Sequence, residues 1–252
     1  MTAPRPARRT PSTRKSRPTP APPPESATPE HPTVTLVVGT GTGVGKTWIT
    51  CAVARALQAA GQQVVAVKPI ETGCVEPADP SEDGLRLAEA TGQAGPRRAL
   101  VRLPGLVAPA IAADQAGVTV GYDDLIARLR SMATTDTLLL VEGAGGLLSP
   151  LTWSDNHLDL AHSLEARVLL VAADRLGTIN HTLMALRVLQ AEKISVLGVV
   201  LNQPGDPDES TRTNAGALQR LVEHVPIVTV PHLTDPVQAD QAVKEIAGWL
   251  LP

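Results

Sequence analysis

Short runs of apolar residues recur along the chain from residue 33 onward, and each is rich in valine, leucine and isoleucine. The six clearest runs lie at residues 33–38, 63–68, 136–143, 167–173, 194–202 and 226–230. Apolar runs of this length and composition are typical of strands that are buried on both faces of a sheet.

Stretches with helical spacing of apolar residues fill most of the intervals between these runs. Helices are predicted at residues 46–60, 82–92, 123–133, 179–192, 209–224 and 236–251. Alternating strands and helices predict an α/β fold, in which helices cover both faces of a parallel sheet. Ligands of such sheets bind outside the carboxyl ends of the strands, so binding and catalytic residues are expected directly after each strand.

The first 32 residues have a different character from the rest of the chain. They contain ten of the 23 prolines, and six lysines or arginines but no acidic residue occur among the first 20. A segment with so little to bury is predicted to be a disordered tail. Residues 33–252 are then expected to form a single domain of the P-loop NTPase type.

Composition and charge exclude several classes of function. Aromatic residues make up only 2% of the chain and the net charge is −3, which argues against binding to nucleic acid or a membrane. No apolar run is long enough for a transmembrane helix. The only cysteines, Cys51 and Cys74, are too few for a disulfide framework, so a cytoplasmic protein with reduced thiols is expected.

A glycine-rich segment, G-T-G-T-G-V-G-K-T, follows the first strand at residues 39–47. The usual phosphate-binding pattern, G-x-x-x-x-G-K-[ST], would place its first glycine at Thr40, but here the glycine stands one residue earlier at Gly39. Backbone N–H groups of such a turn form a cradle for an anion. Lys46 is expected to reach the β- and γ-phosphates, and Thr47 to offer its hydroxyl to Mg²⁺.

Charged residues follow the next two strands. Lys68 ends the second strand, where a buried amine is costly unless it meets an anion or reaches solvent. Glu142 ends the third strand, where simple P-loop NTPases carry an acid that holds Mg²⁺. Asp83 is the second candidate for the metal, and the sequence leaves Asp79 and Glu82 open as alternatives.

Five blocks occur in the order found in one family and span residues 33 to 235: G-T-G-T-G-V-G-K-T, K-P-I-E-T-G, V-E-G-A-G-G, L-G-T-I-N-H and L-N-Q. Together they resemble the dethiobiotin synthetase family. The resemblance implies a homodimeric ligase of biotin biosynthesis that uses Mg²⁺ and ATP. It would close the ureido ring of dethiobiotin from 7,8-diaminononanoate and CO₂, through a carbamate and a carbamic-phosphoric anhydride.

The resemblance also implies roles for individual residues, including substrate contacts that come from the partner subunit. It implies catalytic roles for Lys46, Lys68 and Thr42, and a metal site formed by Thr47, Asp83 and Glu142. Substrate contacts are implied at Thr42, Lys68, Thr72, Gly145, Gly177, Thr178 and Asn180. Nucleotide contacts are implied at Gly41, Thr42, Gly43, Val44, Gly45, Lys46, Thr47, Glu142, Asn202 and Pro231.

Two other classes of protein share this type of loop. A ParA/MinD-like ATPase, which is a dimerising switch, carries a signature lysine at the position of Gly41, and some synthetases carry acids at Gly41 and Gly43. An amidoligase of the cobyrinic acid diamide synthase type would need a glutaminase domain with a catalytic cysteine, for which the chain has no room. The sequence therefore favours the synthetase over both alternatives.

Overall fold

The computed structural model describes residues 33–76 and 79–251. Its strands are β1 (Thr33–Gly39), β2 (Val64–Val67), β3 (Ile70–Thr72), β4 (Val101–Leu103), β5 (Leu138–Gly146), β6 (Arg167–Ala173), β7 (Val196–Asn202) and β8 (Ile227–Val230). Its helices are α1 (Lys46–Ala59), α2 (Asp83–Thr91), α3 (Pro109–Ala116), α4 (Tyr122–Met132), α5 (His157–Ser163), α6 (Thr178–Ala191), α7 (Thr211–Leu221), α8 (Pro236–Ala242) and α9 (Lys244–Leu250). The tail predicted for residues 1–32 lies outside the described part.

Six strands form one parallel sheet in the order β2-β5-β1-β6-β7-β8. These are the six strands that the apolar runs predict. Because β1 lies between β5 and β6, Val37 pairs with Glu142 on one side and with Leu169 on the other. Glu142, in the middle of β5, therefore lies beside β1 two residues before that strand ends and the glycine-rich segment begins.

Helices cover both faces of this sheet, which confirms the predicted fold class. Leu36 faces a core to which α3, α4, α5, α6 and α7 contribute apolar side chains. Val37, the next residue along the strand, faces a second core formed with α1, α2, α8 and α9. Successive residues of a strand point to opposite faces, so an unbroken apolar run is needed to fill both cores.

Several short elements were not anticipated from the sequence. β3 and β4 form a separate parallel pair of three residues each, which is too short to show a periodic pattern. α5 has only seven residues, and a reciprocal capping box between Asn156 and Asp159 defines its start. The last predicted helix, 236–251, is divided at Val243 into α8 and α9.

The small sheet holds the start of α2 close to the main sheet. Glu71, in the middle of β3, accepts hydrogen bonds from the backbone N–H groups of Asp83 and Gly84. A Cβ atom on Gly84 would lie 2.3 Å from the backbone nitrogen of Ala99, so the helix approaches that segment more closely than other residues allow. These contacts determine where the Asp83 side chain projects.

No helix in the part of the chain that the structure describes is both long enough and apolar enough to cross a membrane.

Candidate active site

A cavity of about 600 Å³ lies at the carboxyl ends of β2 and β5, beside the glycine-rich loop. Most of the residues predicted to act on phosphate, metal or substrate meet there. The predicted residues that line it are Thr42, Gly43, Gly45, Lys46, Thr47, Lys68, Thr72, Asp83 and Gly145.

The displaced glycine of the loop has a steric explanation. A Cβ atom on Gly39 would lie 2.8 Å from the carbonyl oxygen of Gly41 and 3.1 Å from Nζ of Lys46. The loop folds back over its first residue, and the lysine side chain passes the same point. Only glycine leaves room for both at position 39, so Thr40 can take the place of the usual glycine.

Lys46 is buried, and its ammonium group donates to the carbonyl oxygens of Gly145 at 2.8 Å and Gly41 at 3.2 Å. Burial, together with the nearby charge of Lys68, lowers the pKa of Lys46 to about 8. Two carbonyl groups only partly compensate for the water that the ammonium group has lost. An anion in the loop would stabilise the charged form, as a triphosphate does in this type of loop.

Lys68 forms the centre of a buried network of charges. Its Nζ lies 2.7 Å from Oδ2 of Asp83 and 2.7 Å from Oε1 of Glu142. Thr47 donates a hydrogen bond of 2.7 Å to the same oxygen of Glu142. Burial alone would lower the pKa of Lys68, but the two carboxylates outweigh burial and raise it above its ordinary value. The lysine is therefore held in its charged form.

The acids around Lys68 have the chemistry of a magnesium site. Glu142 is fully buried, and its second oxygen, Oε2, has no hydrogen-bond partner among the described residues. Burial would raise the pKa of Asp83, but the neighbouring Lys68 outweighs this and lowers it. Two carboxylates and the hydroxyl of Thr47 are the hard oxygen ligands that Mg²⁺ prefers. The residues present therefore fit this ion.

The two alternative acids point away from this network. Glu82 pairs with Arg98 at 2.6 Å and with Arg102, and its pKa is lowered because these arginines outweigh the effect of burial. Asp79 accepts a hydrogen bond of 2.7 Å from the backbone of Ser81 at the surface. Of the three candidates, the structure brings only Asp83 into contact with Lys68.

A second cavity, of about 500 Å³, lies on the other side of the loop. Asn202, at the end of β7, lines it and donates a hydrogen bond of 3.0 Å to the carbonyl oxygen of Val44. His232 also lines it and directly follows Pro231 in the chain. Of the predicted nucleotide contacts, Gly43 and Asn202 line this cavity, and Pro231 is the neighbour in sequence of a residue that lines it.

The predicted substrate contacts Gly177, Thr178 and Asn180 line neither of these two cavities. Gly177 and Asn180 are exposed at the start of α6, and neither lines a cavity that contains Lys68 or Asn202. Thr178 is buried beside the loop, and its hydroxyl has no hydrogen-bond partner in the part of the chain that is described. Within one chain, Thr178 lines a smaller cavity together with Thr42, which is also a predicted substrate contact. The structure does not bring the segment 177–180 into the cavity that contains Lys68.

Several residues that line the main cavity have no prediction from the sequence. Trp48 and Arg86 line it from α1 and α2, respectively. Both lie within helical patterns, where an aromatic residue is typical of a core and an arginine of a solvated face. Neither residue belongs to a motif, so no local signal distinguishes it.

The chain is similar to known proteins over most of its length. Residues 33–239 match a family model described as an AAA domain. The chain is 39% identical over 216 residues to the ATP-dependent dethiobiotin synthetase BioD of Anaeromyxobacter dehalogenans (strain 2CP-1 / ATCC BAA-258), covering 84% of this chain and 96% of that protein. It is 44% identical over 192 residues to the BioD of Mycobacterium marinum (strain ATCC BAA-535 / M), covering 75% and 83% respectively.

Among solved structures, the septum site-determining protein MinD from Pyrococcus horikoshii OT3, complexed with Mg-ADP, is similar in fold. The TM-score is 0.50, with 21% identity over 86% of this chain and 93% of that one. This likeness shows the shared fold alone, whereas the identity to the curated synthetases extends over most of both chains. The chain belongs to the ATP-dependent dethiobiotin synthetase family.

Proposed function

We propose that this chain closes the ureido ring of dethiobiotin from 7,8-diaminononanoate, CO₂ and ATP, as a step of biotin biosynthesis. The observation that carries the proposal is the charge network of Lys68, Asp83 and Glu142 beside a phosphate-binding loop. We place the reaction in the cytoplasm, in keeping with the free thiols of Cys51 and Cys74.

The reaction proceeds in three steps. One amine of the substrate takes up CO₂ and loses a proton, which gives a carbamate. A carbamate oxygen attacks the γ-phosphorus of ATP and ADP leaves, which gives a carbamic-phosphoric anhydride. The second amine then attacks the carbonyl carbon, expels phosphate, loses a proton and closes the ring.

The second step brings two anions together, and this explains the need for two buried lysines. Attack of a carbamate on a triphosphate requires positive charge at both reactants and close control of their alignment. Lys46, in the loop, would contact the phosphates. Lys68, which is held in its charged form, would contact the carbamate and the γ-phosphate. Thr47, Asp83 and Glu142 would hold Mg²⁺, which when bound supplies further positive charge at the phosphates.

The main cavity also has a surface suited to an aliphatic diamine. Thr42, Thr72 and Gly145 line it close to Lys68 and offer hydroxyl and backbone groups for the amines and the carbamate. Leu106 and Val107 line the same cavity with apolar side chains. These apolar groups would contact the methylene chain of 7,8-diaminononanoate.

The nucleotide would bind along the loop and the start of α1. Backbone N–H groups of residues 41–47 would surround the phosphates, as in related loops. Asn202 and Pro231 would contact the base, on the side of the loop where the second cavity lies. The γ-phosphate would then point toward Lys68 and the acids.

We further propose that the functional unit is a homodimer. Gly177, Thr178 and Asn180 would bind the substrate carboxylate of the partner subunit, because none of them lines the cavity that contains Lys68 in their own chain. Apolar side chains are exposed around this segment, with Leu176 86% and Met184 60% exposed. Exposed apolar residues next to an incomplete site favour contact with a second subunit.

The first prediction concerns the reaction itself. Incubation of the protein with 7,8-diaminononanoate, bicarbonate, Mg²⁺ and ATP is expected to yield dethiobiotin, ADP and phosphate in equal amounts. Mass spectrometry and a phosphate assay would measure them. Equal ATP turnover without the diamine would contradict the proposal and favour a switch ATPase.

The second prediction concerns Lys68. Lys68→Met keeps most of the length of the side chain but removes its charge, so we expect kcat to fall by about 100-fold or more. ATP affinity, measured by calorimetry, should fall much less than kcat, because Lys46 and the loop still hold the triphosphate. Lost ATP affinity with normal turnover would contradict the role assigned to Lys68.

The third prediction distinguishes Asp83 from its neighbour Glu82. Asp83→Asn should raise the Mg²⁺ concentration needed for half-maximal activity by roughly tenfold or more, since it removes a charged ligand. Glu82→Gln should leave the Mg²⁺ dependence unchanged but lower the free energy of unfolding by about 1–3 kcal/mol, because two arginines lose their partner. A similar Mg²⁺ shift in both variants would be evidence against the assignment.

The fourth prediction concerns the dimer. Met184→Arg places a charge on the proposed interface and should give a monomer in sedimentation velocity, with weakened diamine binding and unchanged ATP binding. Leu221→Arg is the matched control, since Leu221 is similarly exposed (57%) but lies on α7. A fully active monomeric wild-type protein would refute the dimeric site.

A further inference from the structure

Trp48 borders both cavities of the candidate active site. In the described part of the chain, only Gly43 and Trp48 line both cavities. Trp48 follows Thr47 directly in the first turn of α1, and its side chain is half-buried. Its side chain packs against the core that α1, α2, α8 and α9 form with the sheet, and this contact constrains its position.

The two cavities differ in charge. The main cavity is lined by charged side chains, and two of them, Lys46 and Lys68, suit the phosphates. The second is lined mostly by neutral groups, including Asn202 and Leu233. A nucleotide whose γ-phosphate points toward Lys68 must extend its base in the other direction. That direction leads past Trp48 into the second cavity.

Aromatic side chains are rare here, and the other two tryptophans have structural partners. The chain contains no phenylalanine, one tyrosine and three tryptophans. Trp249 packs over Gly198, where an added Cβ atom would lie 2.3 Å from the ring. Trp153 is 68% exposed and donates a hydrogen bond of 3.0 Å to Asp114. Trp48 is the tryptophan that borders the nucleotide path.

We infer that Trp48 is the surface on which the nucleotide base stacks, and that it determines how tightly a nucleoside triphosphate binds whatever its base. This inference rests on the proposed function, since it concerns the same nucleotide site. Stacking tolerates any base, because every base presents a π face to the ring. Discrimination between bases would then depend on hydrogen-bonding groups such as the amide of Asn202.

Two substitutions distinguish the contribution of the aromatic ring to binding from that of the volume of the side chain. Trp48→Leu keeps an apolar group against the core but removes the ring, whereas Trp48→Phe keeps a ring. Calorimetry would measure binding of ATP, GTP, CTP and inorganic tripolyphosphate to each variant and to the wild type. Tripolyphosphate has no base, so it reports on the loop alone.

We expect Trp48→Leu to weaken binding of all three nucleotides by about tenfold or more, since stacking on an aromatic side chain makes a contribution of this size. Trp48→Phe should lose much less nucleotide affinity. Tripolyphosphate should bind the wild type and both variants with equal affinity. The losses for ATP, GTP and CTP should be similar to one another.

Three results would overturn the inference. The first is unchanged nucleotide affinity in Trp48→Leu. The second is an equal loss of affinity for tripolyphosphate, which would indicate a distorted loop. The third is a loss of affinity that is confined to one nucleotide. A wild-type protein that binds none of these nucleotides would instead contradict the proposed function. The two failures are therefore distinguishable.

Discussion

The candidate active site depends on the neutralisation of one fully buried carboxylate. Glu142 lies in the middle of β5 and has no access to water, so its negative charge requires a cation or hydrogen-bond donors nearby. Lys68 and Thr47 meet this requirement at 2.7 Å each. These contacts connect β2, β5 and the start of α1 at one point of the sheet edge. Mg²⁺ could meet the same requirement, because Oε2 of Glu142 remains without a partner among the described residues.

Asp83 joins this network through the small sheet rather than the large one. Glu71 of β3 binds the first backbone N–H groups of α2, and its pKa is raised because burial outweighs these hydrogen bonds. Glu82, one residue before Asp83, pairs with arginines on the other side. Adjacent acids therefore have different roles: one stabilises the fold, and the other faces Lys68 and the loop.

The fold alone does not identify the reaction, because switch ATPases such as MinD share it. The difference lies in groups placed on the common sheet. Gly41 replaces the signature lysine of the switch ATPases, and Lys68 adds a buried cation at the end of β2. A second cation beside the phosphates suits a reaction in which a further anion must approach ATP. The identity to curated synthetases is independent support for this interpretation.

The sequence was sufficient to predict the six-stranded sheet, its helical layers and the loop at residues 39–47. Buried strands and amphipathic helices produce local patterns, and the chemistry of a phosphate loop resides in consecutive residues. Local patterns could not choose among Asp79, Glu82 and Asp83, because that choice depends on Arg98 and Arg102, which are distant in sequence. They also could not reveal β3, β4 or the position of Trp48 between two cavities. Those features arise from contacts between elements far apart in the chain, and such contacts exist only once the sheet has formed.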